Sequence, residues 1–215
     1  MPWPFKREET DATEALAKQI FATHEAWERR IDSAAQSEAT RVLLLSAAAG
    51  ATVAFGAHAA MLQEEISGAG GSSGYSDPVA RFVRTLGDRR AIEAAYRVVT
   101  WALVSEYAAH FWPEDHEQEI SKCEIVFGFQ NLYEESAVAY GQPASPTATE
   151  EEKVERMYDL LKATLYGMIS AALDEPVEPE DDAINDHMDE WVEQFEAGIE
   201  AGAERMEDLA PEGMD

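Results

Sequence analysis

Residues 42–62 read VLLLSAAAGATVAFGAHAAML, a run of 21 residues without a formal charge in a 215-residue chain whose net charge is −27. A helix that is apolar on every side belongs either in a bilayer or in the interior of a protein. About 20 apolar residues suffice to cross a bilayer, so length does not decide between the two. Composition does. Alanine is the commonest residue of the run, Gly50 and Gly56 interrupt it, and His58 is a polar side chain that would need a partner in hydrocarbon. A second apolar segment, residues 91–112, carries Arg97 and Glu106. Two such segments in one acidic chain predict the central pair of a helical bundle, covered by amphipathic helices, with no stable membrane insertion. The opening MPWPFKRE, aromatic and then basic, is too short a patch to anchor so acidic a body.

Helical periodicity runs through the rest, and no alternating strand of convincing length occurs. D-A-T-E at Asp11 has capping-box spacing and predicts a first helix over residues 11–33, with Leu16, Ile20, His24, Trp27 and Ile31 in line. Ser33 and Gln36 repeat that spacing and predict a second helix to about residue 66, before GAGGSSGYS. Asp77-Pro78 opens a short helix that stops at Gly87, and Asp88 caps the next, which ends at Trp112. A fifth helix is expected over residues 114–140, then the linker QPASPTAT. The capping box Thr149-E-E-Glu152 starts a helix to Leu173, and a last helix covers residues 183–209. The expectation is an all-α, single-domain bundle of six to seven helices with two largely buried central ones. Residues 1–141 form its core, and residues 142–215 an acidic part packed on the same domain.

The chain is 46% hydrophobic and 9% aromatic, too apolar to stay disordered despite its charge. Its single cysteine, Cys123, permits no intrachain disulfide and reads as a small buried hydrophobe. No signal-like segment opens the chain, so a cytoplasmic location is expected.

The 43 acids against 16 bases repel phosphate and exclude direct nucleic-acid binding. The imbalance is concentrated toward the C-terminus, where residues 142–215 hold 22 acids and 4 bases. The last helix carries Ile184, Met188, Trp191, Val192, Phe195, Ile199 and Met206 at three- and four-residue spacing, so it should dock on its own domain or on a partner. Its acids Glu190, Glu193, Glu196 and Glu200 are the candidate contacts for a basic protein surface. Plain solvation, or life in high salt, is the competing account of that charge.

Two clusters carry candidate chemistry. His24, His58, Glu106 and His110 fall on apolar stripes, and Glu106 and His110 share a face at i,i+4 spacing. Three imidazoles and a carboxylate converging inside a bundle would suit Zn or Fe. The alternative is a set of core histidines satisfied by hydrogen bonds, since neither a paired Glu-x-x-His nor a His-Glu-x-x-His is present. Arg81, Arg84, Arg89 and Arg90 form a second cluster, able to hold an anion or to pair with carboxylates. Nucleophile and phosphate-loop motifs are missing, and GAGGSSG lacks the lysine and preceding strand of a P-loop.

The first functional expectation is thus a non-enzymatic protein, of inhibitor, immunity or adaptor type, that needs no cofactor and binds a basic protein. The rival is a metal- or small-ligand-binding bundle. Met- and aromatic-rich stripes are also compatible with a homo-oligomer.

Overall fold

The computed structural model describes residues 5–68, 77–112, 115–127, 149–177 and 182–209. Among them are eight helices and no strand. They are α1 (Phe5–Ala34), α2 (Glu38–Gly68), α3 (Pro78–Thr85), α4 (Arg89–Phe111), α5 (His116–Phe127), α6 (Glu150–Leu173), α7 (Asp182–Asn185) and α8 (Met188–Leu209). The chain is all-α.

Three starts lie where capping chemistry places them. Asp77 accepts from the amides of Val79 and Ala80 with Pro78 at the first helical position, and Asp88 accepts from Arg90. Thr149 and Glu152 close a reciprocal capping box. Other boundaries differ from expectation. The first helix begins at Phe5, so Asp11 lies inside it; nothing between residues 5 and 11 breaks a helix. Ser33 also stays inside that helix, its hydroxyl donating to the Arg30 carbonyl, and Ser37 accepts from the Thr40 amide at 3.1 Å to start α2. The last predicted helix is two, α7 and α8, separated at Asp186 and His187. There the Tyr166 hydroxyl donates to Asn185, and the His187 carbonyl accepts the first bond of α8, from Trp191. Residues 128–148, with most of the linker and the later part of the predicted fifth helix, lie outside the described residues.

α2 and α4 are the buried centre. α2 packs along α8 over most of its length and also meets α1 and α4; α4 meets α6. α2 is long and apolar enough to cross a bilayer, and most of that stretch is buried inside the bundle. Leu43, Leu44, Ala47, Ala51, Ala54, Phe55 and Leu62 are wholly inaccessible. Removing each large side chain from water stabilises the fold by about 1.5–3 kcal/mol. Cys123 is buried as well, and burial pushes its thiol up, away from the thiolate a nucleophile requires.

Candidate functional site

α2 and α8 approach more closely than ordinary side chains allow. A Cβ placed on Gly198 would stand 2.8 Å from the Gly50 carbonyl oxygen and from the Ala54 Cβ. One on Gly202 would stand 2.7 Å from the Ser46 carbonyl oxygen. These contacts set the two helices antiparallel, Gly50 beside Gly198 and Ser46 beside Gly202. Tyr107 of α4 locks the seam, its hydroxyl donating to the Ile199 carbonyl at 2.8 Å. Trp191 Nε1 donates to the Leu161 carbonyl at 2.9 Å, which ties α8 to α6.

This register decides the surroundings of His58. Its ring is fully buried and lies edge-on to Trp191, centroids 5.1 Å apart. Among the described residues neither ring nitrogen has a hydrogen-bond partner. Burial first, and then the nearby His187, push its pKa down to about 3, so the imidazole is neutral. His187 in turn places Nδ1 3.7 Å from a carboxylate oxygen of Glu65.

The other three expected ligands lie apart from it. His24 Nδ1 is 3.0 Å from the Tyr96 hydroxyl, which donates to the Ala48 carbonyl at 2.7 Å. His24 Nε2 stands 3.5 Å from Glu28, and Glu28 stands 3.8 Å from Arg205. These side chains make a polar chain across α4, α1 and α8. Tyr96 is fully buried, and that burial raises its phenol pKa, so it remains a donor. His110 is exposed at the end of α4 with its ring edge-on to Phe111 at 4.7 Å. Glu106 is partly buried; burial raises its carboxyl pKa, while Arg156 and His110 oppose the shift. Among the described residues no three His, Cys, Asp or Glu side chains gather as a metal ligand set. His187 is the histidine that sequence reasoning did not connect with His58. Helical spacing held no signal for it, because the two meet only through the α2–α8 register.

The arginines are spread along α3 and the start of α4. Arg81 pairs with Glu175 at 2.5 Å, tying α3 to the turn after α6, and Arg84 Nε donates to the Ala80 carbonyl at 2.9 Å. Arg89 and Arg90 are exposed, beside the Asp88 carboxylate that caps their helix. That carboxylate offsets their unfavourable position at the positive end of the helix dipole.

α8 divides its residues cleanly. Met188, Trp191, Phe195, Gly198, Gly202 and Met206 are buried. All eight acids of α8 are exposed, Glu190, Glu193, Glu196 and Glu200 among them, and Arg205 is the helix's one base. None of those four glutamates pairs with a cation among the described residues. The result is a helix, packed from behind along the seam, that presents an unneutralised row of carboxylates.

Searches with this chain matched no protein-family model, no curated protein and no solved structure.

Proposed function

We propose that the chain is a non-enzymatic binding protein whose carboxylate face on α8 meets a basic surface on another protein. The observation that carries this reading is the complete exposure of the acids on one buried-backed helix. Solvation alone needs charge but no fixed row, and a fixed row gives a partner a register to match. Electrostatic complementarity of this kind speeds encounter and rejects wrong partners.

The test compares two variants that lose equal charge. One carries Glu190, Glu193, Glu196 and Glu200 changed to Gln; the other carries Glu117, Glu151, Glu155 and Asp159 changed to Gln or Asn. Binding of a small basic protein should weaken by about tenfold more in the first, and wild-type affinity should fall as salt rises. Equal losses in the two variants, or binding indifferent to salt, would count against the α8 face.

A further inference from the structure

α2 is apolar around its whole circumference, yet one strip of it stays open. Gly50 and Ala54 face α8, and a Cβ placed on Gly56 would stand 3.9 Å from Ile20 of α1. At about 100° per residue, Ala49, Val53, Ala57 and Ala60 fall on the shorter arc between those two directions. All four are accessible to solvent, Val53 at 39%, whereas Phe55, His58 and Leu62 on the longer arc are fully buried. The strip is therefore the floor of a groove walled by α1 and α8. Glu28 of α1 reaches Arg205 of α8 at 3.8 Å, and by the register at Gly50 and Gly198 this pair bridges the two walls at the Ala49 end of the strip. Phe21 lies seven residues before Glu28, hence on the same flank of α1, and is 60% exposed. On the α8 wall Gln194 and Ala201 share the flank of Arg205 and are partly exposed. The exposed carboxylates Glu190 and Glu204 stand above them, and exposed Glu64 closes the far end of the floor.

We propose that this groove takes a basic amphipathic helix from a partner protein, its apolar stripe on Val53 and Phe21 and its cations over Glu190, Glu204 and Glu64. The proposal rests on the α8 reading above and adds shape to charge. The floor from Ala49 to Ala60 is about 16 Å long, three turns of a docked helix. Its alanines let another backbone approach closely, as Gly50 and Gly198 do at the neighbouring seam. An apolar floor beneath an acidic rim complements a helix with an apolar stripe and a basic face. A second copy of this chain, itself carrying −27, is repelled from the same rim.

The test uses the full chain and two labelled Leu/Lys peptides of about 18 residues, long enough for five helical turns. They have one composition. In one peptide the leucines form a helical stripe; in the other the order is scrambled so that no stripe forms. Anisotropy titrations should show the striped peptide binding about tenfold tighter, and Val53→Glu or Phe21→Ser should remove that preference without weakening the scrambled peptide. Both positions are exposed, so the variants keep the fold, as circular dichroism will verify. Equal affinity for the two peptides ends the groove and leaves the charge reading standing; failure of either to bind at low salt ends both. Concentration-dependent dimers that Val53→Glu abolishes would assign the strip to a second copy and overturn the proposal. Flotation with phosphatidylcholine vesicles that the same variant abolishes would overturn it in favour of lipid.

Discussion

His58 shows how burial turns a titratable group into a structural one. Its imidazole has no hydrogen-bond partner among the described residues, Trp191 against its ring and His187 beside it, so a proton there would be a buried charge next to another basic group. The unfolded chain accepts that proton below about pH 6.5, and the folded chain resists it until about pH 3. The contribution of His58 to stability is therefore complete above pH 6.5 and lost as pH falls toward 3. The loss has a limiting slope of about 1.4 kcal/mol per pH unit. Urea titrations across this window should give a flatter stability profile for His58→Phe, which keeps an aromatic ring against Trp191. Parallel profiles for the variant and the wild type would mean that His58 does not titrate on unfolding.

At the scale of elements, the α2–α8 seam is the contact on which the most depends. It fixes the neighbours of His58, backs the acidic face and forms one wall of the open strip. Gly202→Ala drives a methyl group into the Ser46 carbonyl oxygen and the Tyr107 ring, 2.7 and 2.8 Å away, and neither can retreat within a packed core. The cost should be about 1–3 kcal/mol, read as a lowered denaturation midpoint. Gly87 is the contrasting case. Among the described residues nothing lies within 4 Å of a Cβ added there, and its φ is not positive, so Gly87→Ala should be neutral or stabilise by about 0.4–1 kcal/mol. Caps at Asp77, Asp88 and Thr149 are legible in the sequence because capping is chemistry between residues two or three apart. The start of α2 at Ser37 instead of Ser33, and the break at Asp186 and His187, are less so. Several Ser and Asp residues there compete for one boundary, and packing selects among them.

For the whole molecule the dominant electrostatic fact is the net charge of −27. Ion pairs such as Lys18–Glu14 and Arg41–Asp32 are largely exposed and stabilise little, so the excess carboxylates repel one another across the folded surface. Screening relieves that repulsion. The Debye length shrinks from about 30 Å at 0.01 M salt to about 10 Å at 0.1 M, and the melting temperature should rise over that range. A midpoint that falls or stays level would show that self-repulsion is not a net cost of folding here. The same salt weakens partner binding, so stability and affinity are expected to move in opposite directions.

The sequence by itself determined the helical class, the buried centre built on residues 42–62, most of the caps and the two-faced character of α8. Each follows from local spacing or from the period of a helix. The tertiary structure decided which faces meet. His58 lies beside Trp191 and His187, away from His24 and His110, because Gly50 and Gly198 bring two helices distant in sequence into one antiparallel register. The open strip was equally hidden, since a helix apolar on all sides carries no mark of the face its neighbours leave uncovered. Val53 reads as core from its neighbours in sequence and becomes surface only when α1 and α8 settle on either side of it.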